Sequence, residues 1–387
     1  MSSVIYSLLS KLPISISKRF YNTFPSLKQN KLLITNSPTG NWTDMVANGT
    51  YIAACSCYSD ADNTDNSMIS ISSNSGSSWT TVDNKQFPEE MNWRAIDMSN
   101  DGKYITVVSD SDMILFNNQM RTLTIRPPVS NKKGAIYYSN DYGSTWNKAS
   151  IDDLPKDYSY LSFKSVCMDT TGKDQYVATN DSIFLSTNYG VDWKCIYSFN
   201  KLSGIIHKIS MVKIKTPNIT SNYMLGLIIK GNGDIFKFLT SNNGGLSWNQ
   251  TLNRIGTQNR DWSSLCYTDD GKELFVSTTD TGLYKNTYYG LSTFTGANAI
   301  LSTPTTLLNP PRPTNLREYK LNDVVKRSST INSFIVSSDT TVFYNNSNVY
   351  NLVSTTDTNV KWTCVAMSGD HVNIHAATLG GKIYTIL

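Results

Sequence analysis

Four copies of one spaced octapeptide constrain the fold of this 387-residue chain more than any other feature of its sequence. Each copy has a Ser, an Asn or Asp two places later, a Gly two places after that, and a Trp three places after the Gly. The copies are SSNSGSSW (72–79), SNDYGSTW (139–146), STNYGVDW (186–193) and SNNGGLSW (241–248). A fifth segment, NTYYGLSTF (286–294), keeps the Gly and lacks the Trp. Such self-similarity is typical of repeat architectures, in which each repeat is one supersecondary unit.

A second repeated motif accompanies the octapeptides. It has an aromatic residue, an apolar residue three places later, a polar turn, and a second apolar run. Its copies are NWTDMVANGTYIAA (41–54), NWRAIDMSNDGKYITVVS (92–109), SFKSVCMDTTGKDQYVAT (162–179), DWSSLCYTDDGKELFVST (261–278) and KWTCVAMSGDHVNIHAAT (361–378). Two apolar runs separated by a short turn of this composition indicate a β-hairpin.

Together the two motifs predict units of four antiparallel strands, about 40 to 50 residues long, which is the signature of a β-propeller blade. The predicted units span 42–83, 93–150, 161–198, 203–252, 262–300, 318–354 and 362–387. The sequence therefore predicts an all-β chain with one seven-bladed propeller over residues 31–387, with six or eight blades as alternatives. The last unit ends after its third strand, and KLLITNS (31–37) is predicted to supply the fourth, which would leave no open sheet edge.

Residues 1–30 form a basic segment without an acidic residue, since the first acid of the chain is Asp44. Two interpretations stay open: an N-terminal arm that packs on the propeller or on a neighbour, and an organellar targeting segment. A secretory signal is not evident, because Lys11 follows the short apolar run instead of preceding it. No run of eighteen apolar residues is present, so no transmembrane segment is predicted.

Composition narrows the partners and cofactors. A net charge of +4, without a block of more than two Lys or Arg residues, does not provide the basic stripe of a nucleic-acid-binding protein. The six cysteines form no C-x-x-C pair, so we expect them to be mostly buried, reduced thiols. The sequence predicts no metal site and no cofactor.

The octapeptide resembles the Asp box, or bacterial neuraminidase repeat, of sialidases, sortilin-type receptors, certain glycoside hydrolases and photosystem assembly factor propellers. This resemblance implies the propeller fold and does not define an activity. In each copy we expect the Asn or Asp to cap its own turn, the Gly to permit the turn's backbone geometry, and the Trp to fill a space between layers. These predicted structural residues are Asn74, Gly76, Trp79, Asp141, Gly143, Trp146, Asn188, Gly190, Trp193, Asn243, Gly245 and Trp248.

Catalytic residues are not predicted. A sialidase would require a Phe/Tyr-Arg-Ile-Pro element, three arginines around a carboxylate, a Tyr–Glu pair and an acidic Asp, whereas TIRPP (124–128) reverses the order of Arg and Ile. Most aspartates fall in turns. Asp97 is instead placed on an innermost strand, where we expect a buried carboxylate that accepts hydrogen bonds from backbone donors. The sequence therefore predicts that the chain is not an enzyme.

Two long, Pro-containing basic insertions, 121–134 and 301–320, are the candidate ligand-binding loops; their cations are Arg121, Arg126, Lys132, Lys133, Arg312 and Arg317. The leading hypothesis is a non-enzymatic binding or scaffold module that contacts another protein or a glycan. Its specific form is a virion surface component attached by the N-terminal arm. The alternatives are an organellar assembly factor like the photosystem assembly propellers, and a carbohydrate-active enzyme. The location would be the virion in the first case and intracellular or organellar otherwise.

Overall fold

β-Strands account for nearly all regular structure in the computed structural model, beside one 3-10 helix at Asn84–Gln86. The structure describes residues 32–57, 67–87, 91–110, 113–117, 122–126, 134–152, 162–199, 204–213, 223–231, 236–241, 243–250, 262–271, 273–278, 282–287, 321–325, 327, 333–338, 342–346, 349–353 and 360–386. None of the helices in these ranges has the length and apolar composition needed to cross a membrane.

The first sixteen strands cover the N-terminal half of the chain. They are β1 (Leu32–Ile34), β2 (Asn41–Asn48), β3 (Tyr51–Cys57), β4 (Ile69–Ser72), β5 (Thr80–Thr81), β6 (Trp93–Met98), β7 (Ile105–Ser109), β8 (Met113–Asn117), β9 (Thr122–Arg126), β10 (Ile136–Ser139), β11 (Asn147–Lys148), β12 (Ser150–Asp152), β13 (Phe163–Met168), β14 (Gln175–Thr179), β15 (Ser182–Ser186) and β16 (Asp192–Ser198).

The remaining strands follow in the C-terminal half. They are β17 (Gly204–Lys213), β18 (Tyr223–Gly231), β19 (Phe236–Ser241), β20 (Asn249–Gln250), β21 (Trp262–Tyr267), β22 (Glu273–Thr278), β23 (Gly282–Thr287), β24 (Leu321–Val325), β25 (Ser333–Ser338), β26 (Val342–Asn346), β27 (Val349–Val353), β28 (Trp362–Met367), β29 (Ile374–Thr378) and β30 (Ile383–Ile386).

The strands pair into sheets in the order that the repeats predict. Blade one is β2-β3-β4-β5, blade two β6-β7-β10-β11, blade three β13-β14-β15-β16, blade four β17-β18-β19-β20, blade five β21-β22-β23, blade six β24-β25-β26-β27, and blade seven β28-β29-β30-β1. Strand β12 adds to blade three in parallel with β16, and β8 pairs with β9 in a separate hairpin. The predicted all-β propeller is confirmed. A fourth strand for blade five was predicted within 288–300, outside the described residues.

The first strands of the sheets contact one another in a closed cycle: β2, β6, β13, β17, β21, β24, β28 and β2 again. They are therefore the innermost strands, and they surround a common axis. The predicted count of seven blades stays a prediction, and this closed order of contacts supports it.

The chain closes where the sequence predicts. Strand β1 pairs antiparallel with β30, with Leu32 opposite Ile386 and Ile34 opposite Tyr384. The closure continues past β1, because the Thr35 hydroxyl donates to the Ile383 carbonyl (2.7 Å). The N-terminal strand thus completes blade seven, and the free edge of β30 is covered.

Aromatic residues at the start of the innermost strands form the core between blades. Trp42, Trp93, Phe163, Trp262 and Trp362 are each at most 1% exposed. Burial of large rings is a major favourable contribution to folding, and truncating one to Ala typically costs about 3–5 kcal/mol. The aromatic that opens each repeat is therefore the residue that joins neighbouring sheets.

The octapeptides form tight turns between the third and fourth strands of their blades. In the second copy, the Asp141 carboxylate accepts from the Thr145 amide (2.9 Å), and the Trp146 indole donates to the Gly143 carbonyl (3.0 Å). The other three copies repeat both bonds, with Asn74, Asn188 and Asn243 accepting through the side-chain carbonyl oxygen. An amide can replace the carboxylate because its oxygen keeps the backbone bond, while its nitrogen donates to the side chain at the position where Thr145 donates to Asp141.

Candidate functional site

Each innermost strand contains a break in register close to its start. The breaks lie between Trp42 and Asp44, Trp93 and Ala95, Phe163 and Ser165, Ile206 and Lys208, Trp262 and Ser264, Leu321 and Asp323, and Trp362 and Cys364. The skipped residue in each case is the extra residue of a β-bulge, a feature that redirects a side chain and is frequent near binding sites. We call these seven residues the bulge ring: Thr43, Arg94, Lys164, His207, Ser263, Asn322 and Thr363.

All seven residues of the bulge ring line one cavity of about 250 Å³ on the propeller axis. Further lining residues include Asp44, Lys208, Asp323 and Lys361. Since the bulges lie where the innermost strands begin, the cavity lies at that end of the axis, which we call the mouth face. A site lined by the innermost strands of all the described blades exists only when the ring is closed.

Most side chains of the bulge ring are already bound within the fold. Their partners are the Cys55 carbonyl for Thr43 (3.2 Å), Asp110 for Lys164 (2.6 Å), Ser277 for Ser263 (2.8 Å), the Trp362 carbonyl for Asn322 (2.8 Å) and the Ala377 carbonyl for Thr363 (3.3 Å). These bonds connect the bulge to its own sheet or to a neighbouring blade. They serve the fold and reduce the number of donors offered to a ligand.

Arg94 is the exception in the bulge ring. Its guanidinium makes no hydrogen bond or ion pair with any residue that the structure describes, although it is only partly exposed and lines the cavity. Guanidinium groups at partly buried positions are usually paired with carboxylate or phosphate. The cavity therefore presents one unsatisfied cation.

Directly inside the bulge ring, Lys208 lies between the carboxylates of blades one and six. Its Nζ is 3.6 Å from Asp44 Oδ1. Burial raises the pKa of Asp44, and Lys208 opposes that effect. Burial alone would lower the pKa of Lys208, but the charges of Asp44 and Asp323 raise it above its usual value. Lys208 therefore stays protonated and connects three blades across the axis.

The same carboxylates also join neighbouring blades. Asp44 accepts from the Ile96 amide of blade two (3.2 Å), and Asp323 accepts from the Val365 amide of blade seven (3.2 Å). Asp323 is further held by the Ser264 hydroxyl of blade five (2.6 Å). These carboxylates therefore connect the innermost strands of neighbouring blades by hydrogen bonds.

Asp97 connects blades two and three in the same way, deeper in the channel. Its two oxygens accept from the amides of Met98 and, in the next blade, Met168, both at 2.8 Å. Burial raises the pKa of Asp97 to about 6. The predicted backbone donors of Asp97 are present, while its side chain is partly buried instead of fully buried.

Arg327 crosses the opposite end of the channel, which we call the far face. It follows β24 in blade six and donates to Asn48 of blade one and Asn100 of blade two, the latter at 3.4 Å. Its Nε is 3.6 Å from Asp269 Oδ2 of blade five. Arg327 therefore connects blade six to blades one, two and five at the far face.

Of the candidate loop cations, Arg126 ends β9, whereas Arg121, Lys132, Lys133, Arg312 and Arg317 lie outside the described residues. The β8–β9 hairpin is inserted between β7 and β10. Because Ser109 at the end of β7 is opposite Trp93 at the start of β6, this insertion leaves the sheet at the mouth face. The chain therefore leaves β7 and returns to β10 at the same end of the molecule as the cavity.

The bulge ring was not predicted from the sequence, although a signal for it exists. In five repeats the bulge residue directly follows the opening aromatic, as Thr43, Arg94, Lys164, Ser263 and Thr363. The residue after the opening aromatic is polar in all five copies. Such a polar position beside a buried aromatic marks a place that faces the axis.

Comparisons with known proteins give a structural likeness only. No family model matches the sequence, and no curated protein matches it. Among solved structures, one described as YCF48 bound to D1 peptide has a TM-score of 0.58 and 11% identity, covering 94% of this chain and 98% of that chain. The likeness shows a shared fold. YCF48 from Cyanidioschyzon merolae gives a TM-score of 0.56 and 12% identity, covering 92% and 98%. At these identities the likeness to YCF48 does not assign an activity.

Proposed function

We propose that this protein is a non-enzymatic β-propeller that binds a segment of a protein partner at the mouth face and acts as an assembly factor. The observation that carries the proposal is Arg94. It is the one member of the bulge ring for which neither the described fold nor a neighbouring blade supplies a partner. A cation held in this state on a cavity wall is suited to an anionic group from outside.

Two further observations support a protein ligand. The chain leaves β7 and returns to β10 at the mouth face, with the β8–β9 hairpin inserted between them, and loops on a rigid scaffold are common binding elements. One structural neighbour is a YCF48 propeller described as bound to a peptide. These points favour the assembly-factor alternative over a virion surface component.

The carboxylates at the cavity argue against glycoside hydrolysis. Such catalysis requires one carboxylic acid and one carboxylate that both reach the substrate. Asp44 and Asp323 instead accept backbone amides of the next blade, and both act on Lys208. Their role in holding the ring favours the non-enzymatic interpretation.

Charge reversal at Arg94 tests the proposal. The tagged full-length protein is recovered from its host cells as wild type, Arg94→Glu and Lys173→Glu, and the associated proteins are quantified by mass spectrometry. Lys173 is an exposed cation in a far-face turn, so Lys173→Glu matches the change in charge. The partner found with wild type is then purified and its affinity measured by calorimetry.

We expect Arg94→Glu to weaken binding of that partner about thirtyfold or more, because disrupting a desolvated charge pair costs about 2–5 kcal/mol. Lys173→Glu should bind like wild type. Equal loss in both variants, or no protein that distinguishes them, contradicts the proposal. Turnover of chromogenic glycosides by the wild type would contradict its non-enzymatic part.

A further inference from the structure

Arg94 and Lys164 hold equivalent places in neighbouring blades. Each is the bulge residue that follows the opening aromatic, Trp93 in blade two and Phe163 in blade three. Lys164 is satisfied by the preceding blade, since its Nζ lies 2.6 Å from a carboxylate oxygen of Asp110, which directly follows β7. If the junction between blades one and two were built in the same way, blade one would place a carboxylate beside Arg94.

The residue at the matching place is Cys57. In blade one, Cys57 is opposite Asn41, the residue before the opening Trp. In blade two, the Asp110 amide donates to the carbonyl of Asn92, which is likewise the residue before the opening Trp. Where blade two supplies a carboxylate to blade three, blade one therefore supplies a thiol to blade two.

The Cys57 thiol does not neutralise Arg94. Burial raises the pKa of Cys57 to about 11, although the guanidinium of Arg94 lowers it. The thiol is thus uncharged near neutral pH. Arg94 is therefore a full positive charge at a partly buried position. The equivalent residue of blade three, Lys164, is ion-paired with Asp110, so Arg94 resembles an ion pair that lacks its anion.

The charges around the cavity limit what the missing member can be. Among the described residues that line it, Arg94 is a cation without a carboxylate, while the carboxylates of Asp44 and Asp323 are on the wall. A single negative charge on a ligand matches the guanidinium of Arg94. A dianion would bring a second negative charge close to Asp44 and Asp323.

We infer that the mouth-face cavity is a carboxylate site, in which Arg94 takes from a ligand the group that Lys164 takes from Asp110. A planar carboxylate matches the two-pronged donor geometry of a guanidinium. The assignment of the carboxylate to a protein rests on the proposed function. It is supplied by an acidic side chain or by the C-terminus of the partner segment.

Nuclear magnetic resonance of the full-length protein labelled with ¹⁵N-arginine tests this inference directly. The Arg94 Nε–Hε signal is assigned with Arg94→Gln and followed during titration with four probes. Sodium acetate tests the carboxylate group itself, and N-acetylglutamate α-methylamide (Ac-Glu-NHMe) tests a side-chain carboxylate. Ac-Gly-Gly-OH tests a C-terminal carboxylate, and inorganic phosphate tests a dianion. We expect saturable shifts with the monocarboxylates, with midpoints on the order of 10 mM, and weaker binding of phosphate.

The decisive variant restores the missing partner within the chain. Cys57→Asp places a carboxylate where the equivalent junction has Asp110, and should raise the acetate midpoint about tenfold or more while Arg94 is still present. Cys57→Asn has nearly the same shape without the charge, and should keep the titration. If Cys57→Asp does not fold, melting temperatures replace it as the test. Acetate should raise the melting temperature of wild type and should not raise that of Arg94→Gln.

The outcomes separate the inference from the proposed function. Absence of a saturable shift in wild type, tighter binding of phosphate than of acetate, or an unchanged midpoint in Cys57→Asp overturns the carboxylate site. If the partner is nevertheless lost in Arg94→Glu, the proposed function stands without it. If carboxylates titrate Arg94 but no protein partner depends on it, the carboxylate site stands and its ligand is a free small molecule.

Discussion

Lys208 on the innermost strand of blade four reaches across the propeller axis to Asp44 of blade one, with 3.6 Å between Nζ and Oδ1. The two residues are far apart in the sequence and meet only because the ring closes. With Asp97 below them and Arg327 at the far face, they form successive charged levels along the axis. Among the residues that the structure describes, those below the mouth are bonded between blades, so this part of the channel serves the fold.

Lys208→Met should destabilise the ring by removing the cation from Asp44 and Asp323. We expect a loss of about 3 kcal/mol, the lower end of the cost of breaking a buried pair, because the Lys208 side chain keeps 26% of its surface exposed. Urea unfolding at pH 7.5 measures it. Adding Asp44→Asn should recover part of the loss, and additive losses in the double variant would refute the pairing.

Asp97 should make stability depend on pH between about 4 and 7. Its folded pKa, about 6, lies above the usual 3.8, so the folded state binds more protons in this range and the free energy of unfolding falls as pH rises. Its contribution is complete below pH 3.8 and is lost as pH rises through 6, up to about 3 kcal/mol. Unfolding of wild type and Asp97→Asn at pH 4.5 and 7.5 measures it. The free energy of unfolding of Asp97→Asn, relative to that of wild type, should be higher at pH 7.5 than at pH 4.5. The same difference at both pH values would contradict the raised pKa of Asp97.

Trp146→Ala should cost about 3–5 kcal/mol of stability and leave ligand binding per folded molecule unchanged. Trp146 is 6% exposed, packs beside Phe87 with ring centroids 6.2 Å apart, and does not line the mouth-face cavity. Trp79→Ala at the equivalent position of blade one is the control; it should cost less because Trp79 is more exposed. Denaturant midpoints give the comparison, and loss of binding in a stable Trp146 variant would assign the turn a recognition role.

The fold was predictable because the same short sequence motifs recur in several repeats. The opening aromatics and the octapeptide turns define strand ends in each repeat, and the missing strand of the last unit identified β1 as its replacement. The candidate functional site was harder to predict from the sequence. A bulge depends on register between strands, and the contact of Lys208 with Asp44 depends on closure of the whole ring. Of the candidate loop cations, Arg126 at the end of β9 is the one within the described residues.

Gly143 should tolerate a methyl group poorly for two separable reasons. Its φ is +81°, and a Cβ would lie 1.9 Å from Cδ1 of Ile71 in the preceding blade. Gly49 has a φ of +56° with no atom within 4 Å of the added Cβ, so Gly49→Ala measures the backbone cost alone, about 1 kcal/mol. Gly143→Ala should cost about 1–3 kcal/mol more because of overpacking. Equal costs in thermal unfolding would show that the turn does not pack tightly on the preceding blade.

Truncation at the N-terminus should show where the propeller begins. A chain starting at Leu32 retains β1 and its pairing with β30, so its melting temperature should stay close to that of the full chain. A chain starting at Pro38 lacks β1, the Thr35 bond to the Ile383 carbonyl and the Ser37 hydroxyl that accepts from the Ile383 amide (2.9 Å). The exposed edge of β30 should lower the melting temperature and promote aggregation, which calorimetry and light scattering would detect. Equal stability of the two truncated chains would mean that β1 does not close the ring in solution.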